Sequence, residues 1–165
     1  MKKQNEYNVT FGGIGGQGII KASEMVGWAA MYEGYHVKKS EVHGMSQRGG
    51  SVESHVRFGK KIYSPLIAPG QADFLMCFHE DEHYRLIRFL KKGGTDLVSY
   101  LKPLSEMVEN PRHMNTALVG ALAAYLPISD ASWQKALKTV FPAKILAGNQ
   151  AVFKKAKAMA AKAQK

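Results

Sequence analysis

The chain has 165 residues, 45% hydrophobic and 22% charged, enough for a packed core without disulfides or metals. Its one cysteine, Cys77, excludes an internal disulfide and a self-contained iron-sulfur cluster, which takes about four thiolates. The net charge of +10 is uneven: residues 131–165 hold eight lysines and no acid, leaving +2 for residues 1–130. That tail has no arginine and little aromatic interleaving, so it reads as a solvated lysine-rich helix and not as a nucleic-acid surface.

The two lysines at the N-terminus are not followed by an apolar stretch, and the longest apolar run, 117–126, is far short of the roughly 20 residues that span a bilayer. The expectation is a soluble, cytoplasmic protein with no membrane contact. Tyr7, Val9 and Phe11 alternate with Asn8 and Thr10 as in a strand, and five glycines between Gly12 and Gly18 stop it. Ile19, Ala22, Val26 and Ala29 recur at helical spacing, which predicts a helix to Met31 or Tyr32 ended by Gly34. A second strand is expected over 35–42, and a third over 52–58 that turns at Gly59 into a hairpin with 62–64.

Pro65, Pro69 and Gly70 break the chain before 72–78, whose FLMCF run is apolar on both faces and so predicts a buried central strand. A helix over 80–90 starts acidic and ends basic, in keeping with its dipole, and Gly93-Gly94 is expected to close it. Residues 95–100 read as a strand and 115–125 as a small-residue helix that must pack close to a neighbour. Ser129 is a good N-cap for a helix through Phe141, and Pro142 opens the last one. Alternating strands and helices predict a single α/β domain over 1–165: a three-layer α/β/α, Rossmann-like fold with a mainly parallel, mixed sheet and one antiparallel hairpin.

Gly13-Ile14-Gly15-Gly16-Gln17-Gly18 fits GxGxxG between a strand and a helix. Glycines there let successive backbone N–H groups converge at a helix N-terminus, where the dipole favours an anion. A nicotinamide-binding unit would also need an acid about 20 residues on, for which Glu33 fits by count and Glu41 by its place near a strand end. Glu41 leads into a second polar, glycine-rich loop, Glu41-Val42-His43-Gly44-Met45-Ser46-Gln47-Arg48-Gly49-Gly50-Ser51, at the edge where open α/β sheets place ligands. The functional reading requires the bends near residues 15 and 48 to lie side by side.

FGGIGGQGI followed by SEVHGMSQRGGSV closely resembles the gamma-type subunit, or fused gamma domain, of 2-oxoacid:ferredoxin oxidoreductases, in wording most like the smaller subunit of indolepyruvate oxidoreductase. The likeness continues through ADFLMCF, Gly93-Gly94 and PRHMNTALVGALAAYLP. It implies a subunit that is catalytically incomplete alone, in an enzyme that decarboxylates a 2-oxoacid (indolepyruvate, pyruvate or a branched-chain type) to an acyl-CoA and passes the electrons to ferredoxin. Thiamine diphosphate with magnesium and the iron-sulfur clusters would sit on partner subunits, and CoA on or beside them; a homodimer of this chain is compatible. The resemblance implies a substrate- or cofactor-facing set of Gly13, Gly15, Gly16, Gln17, Gly18, Glu41, Ser46, Gln47, Arg48, Gly49, Gly50 and Asn115, with the amides of Gly15 to Gly18 and the Arg48 guanidinium as anion donors. No residue is assigned a proton-transfer role.

One departure is visible: only 99–114 separate Val98 from Asn115, about a strand's worth less chain than the family pattern. Two other classes stay open at this point, a free-standing Rossmann-type NAD or nucleotide binder and a non-catalytic interaction module. Cys77 reads as a buried small hydrophobe. His79 and His83, four residues apart, lack a third metal ligand and read as solvated.

Overall fold

A computed structural model describes residues 6–44 and 49–164. Five strands, β1 (Glu6–Ile14), β2 (His36–His43), β3 (Ser51–Gly59), β4 (Ala72–Cys77) and β5 (Leu90–Asp96), form one sheet in the order β2-β3-β1-β4-β5. β1 runs parallel to β4 and β4 to β5, whereas β3 is antiparallel to both β1 and β2, so the sheet is mixed. The central position of β1 follows from its sequence, because both faces of residues 7–13 are buried.

Six α-helices lie among the described residues: α1 (Ile19–Tyr32), α2 (Glu80–Leu86), α3 (Leu101–Met107), α4 (Met114–Ala123), α5 (Asp130–Val140) and α6 (Ala143–Ala163). One face of the sheet presents Tyr7, Val9, Phe11, Val56, Phe58, Phe74 and Met76 to α1 and α4, with α5 behind α1 and α6 behind α4. Burying each large side chain there contributes about 1.5–3 kcal/mol. α4 is buried from Asn115 to Ala123, and the crossing with α6 is so tight that a Cβ on Gly120 would lie 2.5 Å from the Phe153 carbonyl oxygen. The small-residue composition of α4 is therefore a packing requirement.

The opposite face carries a thinner layer. Leu75 and Cys77 pack under Leu86 of α2, and Ile67 and Phe89 cover Ala72. The rest of this face is polar, with Asn8, Thr10, Glu53 and His55 all buried. No helix among the described residues is long and apolar enough to cross a membrane.

Several local expectations are corrected. Residues 62–64 form no strand: the Ile62 N–H donates to His36 Nδ1 at 2.9 Å, and the antiparallel partners of β3 are β2 and β1. The helix expected to reach residue 90 stops at Leu86 and tightens into a 3-10 turn, Ile87–Phe89. Gly93-Gly94 does not close that helix but lies inside β5, at a register shift opposite 72–74 where the Asp73 carbonyl oxygen leaves no room for a Cβ on Gly94. The strand expected over 95–100 thus begins earlier and ends at Asp96, and Val98–Tyr100 is a 3-10 turn. The short 99–114 stretch is filled by α3, anchored by buried Leu101 and Leu104, so β5 is the outer strand of the described sheet.

Candidate functional site

The first glycine loop is held by its own side chain. Gln17 Oε1 accepts from the Ile14 N–H at 2.8 Å, and its Nε2 donates to the Phe78 carbonyl at 3.0 Å, clasping the loop to the chain just beyond β4. Room for this clasp comes from Gly13, where a Cβ would meet Gln17 Oε1 at 2.6 Å and Phe78 Cβ at 2.8 Å. Gly18, at φ +76°, is the N-cap of α1 and lies directly under Asn115.

The second loop is pinned at its neck and joined to the first. The Gly44 N–H donates to the Ser51 carbonyl and the Gly15 N–H to the Gly50 carbonyl, each at 2.8 Å. Below this neck runs a polar network. Ser51 Oγ donates to Glu82 at 3.0 Å; Arg85 bridges Glu82 and Glu53 at 2.8 and 2.7 Å; and Glu53 pairs with His55 at 2.7 Å. Burial alone would raise the Glu53 carboxyl pKa, but hydrogen bonds from His55 and Arg85 bring it below its ordinary value. His55 Nδ1 reaches Thr10 Oγ1 at 3.1 Å, which completes a hydroxyl-imidazole-carboxylate chain. Thr10 has 0% exposure, so no substrate reaches that hydroxyl and the chain braces the sheet.

Beside the first loop opens a cleft of about 500 Å³ lined by Gly16, Gln17, Gly18, Phe78, Pro111, Arg112, Met114 and Asn115. Among the described residues, no carboxylate lines it. The N–H groups of Gly16 and Gly18 have no partner among the described residues, and neither does the exposed Arg112 guanidinium. With the positive end of α1 at its wall, the cleft favours an anion. Its back wall is tied deep into the fold: Asn115 Nδ2 donates to the Gly18 carbonyl at 3.3 Å, Asn115 Oδ1 accepts the Thr116 N–H at 2.8 Å, and Thr116 Oγ1 donates to Asn149 of α6 at 2.6 Å.

The structure thus brings Gly13, Gly15, Gly16, Gln17, Gly18, Gly50 and Asn115 into one neighbourhood, with Gly49 beside Gly15. Two of the four expected amide donors are engaged within the loops, Gly15 by Gly50 and Gln17 by Ile14, which leaves Gly16 and Gly18. Glu41 lies elsewhere, on edge strand β2, held by Lys39 at 2.5 Å and His43 at 3.4 Å; the Lys39 hydrogen bond keeps its carboxyl below the ordinary pKa. Glu33 caps α5 through Ser129, so neither acid faces the first loop as a ribose acceptor would. Ser46, Gln47 and Arg48 lie outside the described residues.

Arg112 and Phe78 enter the cleft without having been singled out, although Arg112 stands three residues before Asn115 in the PRHMN segment. His79 and His83 are not simply solvated: His79 caps α2 and His83 binds Asp96 at 2.5 Å. Cys77 is buried, its thiol pKa raised by that burial while Sγ donates to the His79 carbonyl. No group of three potential metal ligands is found among the described residues.

Residues 8–159 match the family model described as pyruvate ferredoxin/flavodoxin oxidoreductase. The chain belongs to this family. Within it, indolepyruvate oxidoreductase subunit IorB of Thermococcus kodakarensis is 51% identical over 89 residues, 54% of this chain, and the match spans only 44% of that relative. The fold agrees with solved members. The gamma subunit of a keto/oxoacid ferredoxin oxidoreductase from Geobacter sulfurreducens superposes with a TM-score of 0.78 at 23% identity, covering 95% of this chain and 97% of that one. A 2-oxoglutarate:ferredoxin oxidoreductase from Magnetococcus marinus, solved with 2-oxoglutarate, coenzyme A and succinyl-CoA bound, superposes at 0.81 with 20% identity, covering 96% of this chain and 31% of that one.

Proposed function

We propose that this chain works as one gamma-type domain over 1–165, a subunit of a 2-oxoacid:ferredoxin oxidoreductase in the cytoplasm. With thiamine- and cluster-bearing partner subunits it takes part in the oxidative decarboxylation of a 2-oxoacid to an acyl-CoA, the electrons passing to ferredoxin. Indolepyruvate is the favoured 2-oxoacid, because the matched stretch of the indolepyruvate relative is half identical to this chain. The single observation that carries a binding role is the acid-free cleft beside the paired glycine loops.

The described residues do not fit the redox cofactors. One buried cysteine cannot hold a cluster, and the cleft lining has no carboxylate among the described residues to hold magnesium against a diphosphate, so no step is assigned to either group here. The cleft suits an anionic group, the carboxylate of the 2-oxoacid or a phosphate of CoA. Gly16 and Gly18 N–H groups would donate to it, Arg112 would neutralise it, and Asn115 would hold the Gly18 turn in shape. Because the two backbone donors sit on a loop already clasped by Gln17, they orient the ligand without reorganising, and Arg112 closes on it from the rim.

The test is purification of the affinity-tagged full chain from its native cells, with thiamine, iron and acyl-CoA formation measured. Expected is a fixed-ratio complex that carries thiamine diphosphate and iron and consumes indolepyruvate faster than pyruvate. A chain recovered alone, with no thiamine- or iron-bearing polypeptide in fixed ratio, overturns the subunit reading.

A further inference from the structure

A second concavity, sharing no residue with the cleft, lies between the start of α5 and the later turns of α6. It encloses about 690 Å³, with Asp130, Gln134, Phe153, Lys154, Lys157 and Ala158 among its walls. Gln150 Nε2 donates to Gln134 Oε1 at 2.6 Å across the two helices, and Lys157 holds Asp130, the only acid in the lining, at 2.6 Å. Lys154, Ala158 and Ala161 are exposed, while Phe153 is 2% exposed and forms the floor. The helices that form the groove are strongly basic, since residues 131–165 contain eight lysines and no acid, and the acids at its α5 end are Asp130, paired with Lys157, and Glu33, bound to Ser129.

We propose that this groove docks an acidic amphipathic segment of a partner polypeptide. Alanines at 151, 158 and 161 keep the α6 wall low, so apolar side chains of a second helix can settle between it and α5. Lys154, and Lys157 released from Asp130, would meet carboxylates along the rim, and the uncompensated charge around them steers such a segment in. Nucleic acid fits poorly: the tail has no arginine for forked phosphate contacts, and Phe153 offers no exposed ring for base stacking. A lipid surface fits poorly too, because Ile145 is the only exposed large hydrophobic residue on α5 and α6. This proposal goes beyond the subunit reading and stands independently of the glycine loops.

The test uses the full chain and a fluorescent peptide with leucines at helical spacing and glutamates elsewhere. Controls are a scrambled peptide of the same composition, a single-stranded oligothymidine and phosphatidylglycerol vesicles. Expected is binding that weakens with salt and falls at least about tenfold both in the Lys154→Glu/Lys157→Glu variant and in Ala158→Trp, which fills the groove without changing charge. Ala158→Trp should keep the wild-type melting temperature because it changes an exposed groove position, and the double charge reversal should melt slightly lower because it gives up the exposed Lys157–Asp130 pair. Equal binding of the scrambled peptide, unchanged affinity in Ala158→Trp, or tighter binding of the oligonucleotide or vesicles would overturn the proposal.

Discussion

The backbone N–H of Gly15 donates to the carbonyl oxygen of Gly50 at 2.8 Å, which joins two glycine-rich loops 35 residues apart in sequence. This bond continues the antiparallel β1–β3 pairing, in which Ile14 lies opposite Ser51, past the end of the ladder. The cleft wall and the neck of the second loop are therefore extensions of one sheet. The Gly15–Gly50 bond couples the neck just before β3 to the loop that leads into α1.

The glycines of the first loop should not respond alike to alanine. Gly15 has no positive φ, and an added Cβ would sit 3.5 Å from its nearest neighbour, so Gly15→Ala should change stability by less than about 0.5 kcal/mol. At Gly16, with φ +96° and open space around it, alanine should cost about 1 kcal/mol through backbone strain alone. Gly18→Ala combines φ +76° with a Cβ 2.5 Å from Asn115 Nδ2 and should cost about 2–3 kcal/mol. Urea melts of the three variants check the order; equal losses would show that the loop is not held as described.

Gln17→Leu should destabilise the chain by about 1–2 kcal/mol, since it leaves the Ile14 N–H and the Phe78 carbonyl without their partner in a part-buried site. Gln17→Glu is the sharper comparison. It retains an acceptor for Ile14 but loses the donor to Phe78 and sets a carboxylate oxygen against a carbonyl. Hydrogen exchange of the Ile14 amide should therefore quicken strongly in Gln17→Leu and much less in Gln17→Glu.

Where local chemistry was decisive, the sequence was a sufficient guide. The glycine stop before Ile19 and the positive-φ Gly34 bound α1, and the Ser129 cap starts α5, as their residue types imply. It was insufficient where long-range pairing decided. Gly93-Gly94 has the composition of a helix end but lies in a strand because the backbone of 72–73 approaches it, and β3 pairs with β2 and β1 rather than with residues 62–64 just after it. Pro103, inside the first turn of α3, obscured the Leu101 and Leu104 spacing that anchors that helix. Arg112 became a site residue only once α4 brought its own N-terminus to Gly18.

Arg112 is exposed and makes no ion pair among the described residues, so Arg112→Ala should leave the melting temperature unchanged. If the cleft holds the carboxylate or phosphate, the assembled enzyme should show a KM for the 2-oxoacid or for CoA raised about tenfold, or about 1.4 kcal/mol of binding. Arg112→Lys should restore part of it, because charge is kept but the planar fork is lost. Steady-state kinetics with each substrate varied in turn checks this. Unaltered KM values for both would remove Arg112 from the binding site.

Glu53 should make the fold acid-sensitive. Its carboxylate is buried between His55 and Arg85, and their hydrogen bonds hold its pKa below the ordinary 4.5. The unfolded chain, with an unperturbed carboxyl, binds a proton more readily than the folded one below that value, so protons favour unfolding there. The stabilisation is complete above the ordinary carboxylate range and is lost as pH falls through the lower pKa of the folded state. Glu53→Gln should cost about 2 kcal/mol at neutral pH, because Arg85 keeps Glu82 but loses its buried partner. In that variant stability should fall less steeply with acid below about pH 4.5 than in the wild type. Urea melts across that range separate the two curves, and parallel slopes would mean that the carboxylate is not held in its charged form by the network beneath Ser51.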